Sequence, residues 1–285
     1  MIPSKFDYVR PNSVDEAVAA LKAGGEDSKV ITGGQSMLPL LRLRLAAPSV
    51  LVDCARIDEM KGIKDNGDSV TIGAASTHWD VLNNEIVKTH VKLLADATAT
   101  VADPQVRHRG TFGGALAHGD PAGDLPAVVL ALDATFEIAG AKGRRQVTAK
   151  DFFVDYFTTA VGPDEILVSV TIPKLGKGWG TCYEKFNRTA NGWAIVGVAA
   201  AVKVEGGKIT EARIGLTNCA SVPVRASSVE SALKGVSASA AEIESASQSA
   251  ADGTRATSDL GADKEYREHL MRVLTARAVS CAAGA

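Results

Sequence analysis

Residues 31–38 read Ile31-Thr32-Gly33-Gly34-Gln35-Ser36-Met37-Leu38. A β-rich run, Lys29-Val30-Ile31-Thr32, stops at two glycines and passes into two polar side chains. Glycine adopts positive φ without strain and lets a backbone approach a ligand closely. Consecutive N–H groups in such a turn form a concave nest for an anion. Gln35 and Ser36 add side-chain donors. A pyrophosphate suits this chemistry; a plain strand-to-loop turn is the alternative this segment leaves open.

A second glycine pair strengthens the first. Thr111-Phe112-Gly113-Gly114-Ala115 is followed by Gly119-Asp120-Pro121 and Asp124. The surrounding segment, 103–126, also holds Gly110, Gly123, Pro104 and Pro126 and reads as a long functional loop. Thr111 offers a hydroxyl, the glycines offer bare amides, and Asp124 can accept from ribose hydroxyls. Two separated anion-tolerant loops suit one long ligand with a diphosphate, a ribitol and two rings. No G-x-G-x-x-G lies between a strand and a helix, and no P-loop is present. Arg107-His108-Arg109, just before the second loop, could balance a diphosphate, face a partner or form a solvated turn.

Outward from these loops the pattern is α+β. Ser13-Val14-Asp15-Glu16 is a capping box opening a helix with Val14, Ala17, Val18 and Leu21 on one side, closed by Gly24-Gly25. Strands are expected at 50–53, 69–74, 135–139 and 165–172. Helices are expected after Thr77 and over 91–100. A glycine- and lysine-rich linker, 173–180, separates a C-terminal part with strands near 181–188, 194–204 and 208–217, then helices near 225–233, 240–250 and 263–279. Gly206-Gly207 is a hairpin turn. Tyr266, Leu270, Val273 and Leu274 form the expected inner face of the last helix.

Composition removes several function classes. The 285 residues are 46% hydrophobic and 22% charged, with a formal net charge of −2. There is no basic excess to suit nucleic acid and no apolar stretch long enough to span a bilayer. The N-terminus, Met1 to Tyr8, carries no signal pattern, so a cytoplasmic location is the default expectation. Cys54, Cys182, Cys219 and Cys281 are far apart, which argues against a disulfide framework, a zinc site or an iron–sulfur cluster. Four thiols are the expectation. His78, His90 and His118 lack metal-ligand spacing.

The motifs together resemble the medium, FAD-binding subunit of the xanthine dehydrogenase / aerobic carbon monoxide dehydrogenase family of molybdenum hydroxylases. The match is carried by Thr32-Gly33-Gly34-Gln35-Ser36, Ala102-Asp103-Pro104-Gln105-Val106-Arg107, Gly110-Thr111-Phe112-Gly113-Gly114 with Gly119-Asp120-Pro121, Tyr183-Glu184-Lys185-Phe186 and Gly215-Leu216-Thr217-Asn218. The resemblance implies a two-part FAD-binding domain of the vanillyl-alcohol oxidase / p-cresol methylhydroxylase type over 1–176, with subdomains of about 1–55 and 56–176. A smaller α+β domain, a three-stranded sheet with helices, follows over 177–285.

It also implies roles. Ile31 to Leu38 would wrap the FAD diphosphate from one side, and Gly110, Thr111, Gly113, Gly114 and Ala115 from the other. Asp124 would hold the adenosine or ribityl region. Leu167 and Lys185 would line the flavin pocket, with Val101 a further contact. Gln35 and Ala115 stand where relatives often carry His and Asn; Trp193 stands where a Tyr lies near the isoalloxazine. The resemblance implies electron relay, with no catalytic residue or metal in this chain. The molybdenum cofactor would reside in a large subunit and two [2Fe–2S] clusters in a small one, in a dimer of heterotrimers. A stand-alone FAD oxidase or dehydrogenase of the same fold, and a non-redox nucleotide-binding module, are the competing readings. The substrate of the complex (carbon monoxide, an aldehyde or an N-heterocycle) would be chosen in another chain.

Overall fold

A computed structural model describes residues 2–285, with Met1 outside the described residues. Three layers follow the chain. In the first, β1 (Asp7–Val9), β3 (Val50–Asp53) and β2 (Ser28–Ile31) form a parallel sheet in that order. The helix α1 (Val14–Gly24) covers it with Val14, Ala17, Val18 and Leu21, the side the sequence marked. Ser13 caps it by accepting from the Glu16 amide, while the Glu16 carboxylate accepts from the Asn12 amide instead of the Ser13 amide that the expected capping box requires. A helix not foreseen, α2 (Met37–Leu43), follows the first glycine pair.

The second layer is a five-stranded antiparallel sheet, β4 (Ile63–Asp65), β5 (Ser69–Gly73), β10 (Ile166–Pro173), β6 (Thr135–Gly140) and β7 (Gly143–Thr148), in that spatial order. Helices α3 (His78–Asn83), α4 (Glu85–His90) and α5 (Lys92–Ala99) lie between β5 and β6 in sequence. Thr77 caps α3 in a full capping box with Asp80. The segment 103–126, read from sequence as one long loop, is instead largely helical. It contains α6 (Pro104–Arg107), α7 (Phe112–His118) and the start of α8 (Asp124–Ala131). Thr111 accepts from the Gly114 amide and so turns the second glycine pair into a helix start. A short helix, α9 (Ala149–Phe152), and a hairpin, β8 (Phe153–Asp155) with β9 (Thr158–Thr159), complete this layer. Phe136 stacks on Phe152 in its core, with both fully buried.

The C-terminal sheet has four strands rather than the expected three: β11 (Trp179–Phe186), β12 (Val196–Glu205), β13 (Lys208–Thr217) and β14 (Val224–Arg225). The fourth is two residues long, too short for any alternation to show. Gly206 and Gly207, at φ 58° and 73°, make the expected hairpin turn. Helices α10 (Ser227–Leu233), α11 (Ala240–Ser247) and α12 (Lys264–Ala283) close the layer. The inner face of α12 differs from expectation. Leu270 and Leu274 are buried, but so are Arg267, Met271 and Ala278, while Tyr266 is exposed. Arg267 is tolerated inside because its guanidinium donates to the Thr257 and Ile195 carbonyls and to Asp259.

The four-thiol expectation is also corrected. Cys182 on β11 and Cys281 on α12 form a disulfide, with Cα atoms 6.0 Å apart. Sequence separation of 99 residues hid the pair; α12 lies along β11 and brings them together. Gly180 permits that approach, since a Cβ there would stand 2.0 Å from the Ala282 carbonyl oxygen. Cys54 and Cys219 remain buried free thiols, each pushed up to about 12 chiefly by burial.

The residues divide between two apolar cores, one under the first two layers and one between the C-terminal sheet and its helices. Gly215 on β13 lets α8 rest directly on the C-terminal sheet, because a Cβ there would lie 2.1 Å from the Ala127 carbonyl oxygen. Gly215→Val forces the two backbones apart and is expected to lower unfolding free energy by roughly 1–3 kcal/mol, read as a lower denaturant midpoint. An unchanged midpoint contradicts this packing.

Candidate functional site

The two glycine loops come from different layers and touch. A Cβ on Gly33 would stand 2.1 Å from the Arg109 carbonyl oxygen and 2.7 Å from Gly110 Cα. The hydroxyls of Thr32 and Thr111 are 2.8 Å apart and hydrogen-bond each other. Gly113 abuts Ala74, and a Cβ on Gly114 would meet Thr111 Oγ1 at 2.5 Å and Thr32 Oγ1 at 3.0 Å. Backbone contact requires glycine at 33 and 113, and the two threonine hydroxyls require it at 114. Gly34 additionally sits at φ 75°, which favours glycine.

The loops differ in what their amides do. The N–H groups of Phe112, Gly113, Gly114 and Ala115 donate to Ser76, Ala74, Thr111 Oγ1 and the Thr111 carbonyl respectively. Those of Gly33, Gly34, Gln35, Ser36 and Met37 find no acceptor among the described residues. The second loop is therefore not the source of bare amides that the sequence suggested. The first one is, at the entry to α2, where anions are favoured. Thr111 contributes differently. Its oxygen accepts from Gly114 N–H; if its proton goes to Thr32 Oγ1, the Thr32 hydroxyl proton is left free.

A cavity of about 670 Å³ opens beside these loops, the size of a site for an extended small molecule. Thr32, Gly33, Gly34, Gln35, Ser36 and Met37 line one part of it, and Gly110, Thr111, Gly113, Gly114 and Ala115 the facing part. Val101, Asp124, Leu167, Lys185 and Trp193 line the remainder. Ile31 and Leu38 do not line it. Ile31 belongs to β2, and Leu38 on α2 is 47% exposed. They flank the loop and shape it through the backbone. Trp193 is not a core residue. It stands 60% exposed at the cavity, in the loop between β11 and β12.

The polar heart of the cavity is an ion pair. Lys185 Nζ donates to Asp124 Oδ2 at 2.8 Å and to the Thr100 carbonyl at 3.0 Å. The side chains are 6% and 4% exposed. Burial raises the Asp124 carboxyl above its usual range, against the opposing pull of Lys185 and of a bond from Tyr183. Arg107, His108 and Arg109 do not supply charge here, because none lines the cavity. Arg107 donates to the Val101 and Ala102 carbonyls, and His108 stacks on Trp79 with centroids 4.1 Å apart.

Sequence reasoning missed other lining residues. The β8–β9 hairpin places Phe157, Thr158 and Thr159 on the cavity, anchored by the Phe157 amide on the Gly119 carbonyl. Phe157 packs near His118, with centroids 5.1 Å apart. His78, the first residue of α3, lies buried against Gly110, and its Nδ1 has no partner among the described residues. Only the capping signal at Thr77 fixed its position, and nothing local marked it as buried.

Residues 4–175 match the family described as "FAD binding domain in molybdopterin dehydrogenase", and residues 181–282 match "CO dehydrogenase flavoprotein C-terminal domain". The carbon monoxide dehydrogenase medium chain of Hydrogenophaga pseudoflava is 38% identical, over 99% of this chain and 98% of its own length. The 6-hydroxypseudooxynicotine dehydrogenase complex subunit alpha of Paenarthrobacter nicotinovorans is 35% identical, over 98% and 95%. A solved carbon monoxide dehydrogenase from H. pseudoflava, lacking the Mo-pyranopterin moiety, superposes with a TM-score of 0.97 at 39% identity, covering 100% of this chain and 99% of the other.

His78 gives a pH signature. Burial, helped by the Arg107 charge, lowers its pKa from 6.5 to about 4. The unfolded chain therefore takes up this proton first, and stability is lost as pH falls from 6.5 towards 4, by up to about 3 kcal/mol. In His78→Phe that increment disappears, so its stability falls less steeply than wild type over this window. Parallel pH–stability curves for the two proteins contradict the assignment.

Proposed function

Since the chain belongs to the family of FAD-binding subunits of molybdopterin dehydrogenases, we propose that it is the electron-relaying component of such a complex. Bound FAD supplies the redox chemistry there, accepting electrons from [2Fe–2S] clusters of a partner subunit and passing them to an external acceptor.

The residues present fit this cofactor. The unpaired amides of Gly33 to Met37 are the observation that carries the reading, since they offer a diphosphate several donors without a cationic side chain. Thr32, oriented by Thr111, adds a hydroxyl. Gly110, Gly113, Gly114 and Ala115 let the second loop close against the ligand by their small size. Ile31 and Leu38 hold the first loop in place. Gln35, Ser36 and Met37 line its exit. Val101 and Leu167 supply apolar wall, and Leu167 is buried beneath it. Asp124 and Lys185 place a buried pair of opposite charges on the cavity, the cation suited to negative charge gained on reduction. The Trp193 indole offers a stacking face at the mouth.

We place the domain boundary at 176/177, on the ground of the two separate cores, and the subdomain boundary near residue 55, after the first sheet. The proposed partners are a large molybdenum subunit and a small iron–sulfur subunit, assembled as a dimer of heterotrimers. Relatives named as a medium chain and as a subunit of a complex support this. Those relatives have names for different substrates at similar identity, so substrate choice is assigned to a partner. No described helix is long and apolar enough to cross a membrane.

Protein incubated with FAD and then separated from unbound FAD by gel filtration is expected to be yellow with one equivalent bound, and the chain is expected to co-purify with a molybdenum and an iron–sulfur subunit when the three are expressed together. Gly33→Val, which drives a side chain into the Arg109 carbonyl, is expected to weaken FAD binding by at least roughly a hundredfold, or about 2.8 kcal/mol. A colourless wild type, or Gly33→Val binding FAD like wild type, contradicts the reading.

A further inference from the structure

Tyr183 does not line the cavity, yet it is bonded to a residue that does. Its hydroxyl donates to Asp124 Oδ1 at 2.6 Å, while Lys185 occupies Oδ2 at 2.8 Å. Tyr183 and Lys185 are two residues apart on β11 and so share a face. Asp124 is the first residue of α8, whose apolar residues belong to the first core, and Tyr183 packs against that core. Each carboxylate oxygen thus receives a bond from the same face of one strand. Room for the phenol comes from Gly197 on β12, where a Cβ would lie 2.7 Å from the Tyr183 hydroxyl. The arrangement is built: one glycine makes space for the phenol, and another, Gly215, seats α8 within its reach.

A carboxylate held by one lysine alone would cancel most of that lysine's field in a buried site. A second donor on the other oxygen disperses the negative charge and weakens the cancellation. We propose that Tyr183 is a positioning residue for the redox cofactor. By bonding Asp124 it sets how much positive charge the Asp124–Lys185 pair presents to the cavity, and hence the reduction potential of FAD bound there. Burial and the neighbouring Asp124 charge push the Tyr183 phenol well above its usual range, so it stays a donor throughout working pH. The inference rests on the FAD reading above.

The test uses the full chain, FAD-loaded, with affinity and midpoint potential measured separately. Wild type binding FAD with a defined potential is the control; if it binds none, the FAD reading itself fails. In Tyr183→Phe the carboxylate neutralises Lys185 more completely. The ratio of affinities for reduced over oxidised FAD is expected to fall about tenfold, a potential about 30 mV lower for the two-electron couple. Asp124→Asn removes the opposing charge and is expected to shift the potential the other way. A phenol that merely packs would change affinity for both redox states alike and leave the potential fixed. That result, or both variants shifting in one direction, overturns the proposal. Should Tyr183→Phe fail to fold, 3-fluorotyrosine placed at position 183 carries the test: its more acidic phenol donates more strongly to Asp124, so a higher potential upholds the proposal and an unchanged one overturns it.

Discussion

The structure depends on one backbone contact. Gly33, at the end of the parallel sheet, rests on the Arg109 carbonyl and Gly110 of the second layer at a distance no side chain tolerates. The Thr32–Thr111 hydroxyl bond closes the same junction. Once these two points meet, the first two layers enclose a cavity between them. The amides of the first loop remain unpaired at its edge because the chain turns there into α2 without a side-chain cap. The amides of the second loop are spent on holding α7. Unpaired backbone amides thus lie on one loop, beside the Thr32 hydroxyl, and the other loop supplies shape and the Thr111 oxygen that orients Thr32.

The C-terminal layer is more than a support. It reaches into the cavity with Lys185 and Trp193, and it fixes Asp124 from beneath through Tyr183. A buried ion pair is a costly device unless its remaining lone pairs and protons are bonded. Here the Thr100 carbonyl and Tyr183 meet that need. The disulfide between Cys182 and Cys281 lies on the same strand, one residue from Tyr183, and ties β11 to α12 on its far side. The strand that carries Lys185 to the cavity is thereby anchored on both faces.

Legibility followed physical locality. The strands at 50–53 and 208–217 and the caps at Ser13 and Thr77 were readable because β-branched runs, a glycine hairpin turn and capping residues are local signals. That both glycine pairs line one cavity agrees with their reading as facing loops, but the difference between their amides was not readable, since it depends on Ser76 and Ala74 from a distant strand end. The helices inside 103–126 were missed because glycine and proline depress helix propensity, which the caps at Asp103 and Thr111, with long-range bonds from Phe112 and Gly113, overrode. Tyr183 was legible only as part of a motif, because its side-chain bond reaches Asp124, 59 residues away. The burial of His78 and the β8–β9 hairpin carried no local mark. The Cys182–Cys281 pair was hidden by sequence distance, and the inner face of α12 was misjudged because a buried Arg267 was not foreseen.

Amide hydrogen exchange with and without FAD tests the central claim most directly. The account predicts that the Gly33–Met37 amides exchange fast in the free chain and become protected when FAD is added. Gly113 and Gly114 should be slow in both, since their bonds already exist within the protein. Unchanged exchange at residues 33–37 on saturation with FAD would contradict it.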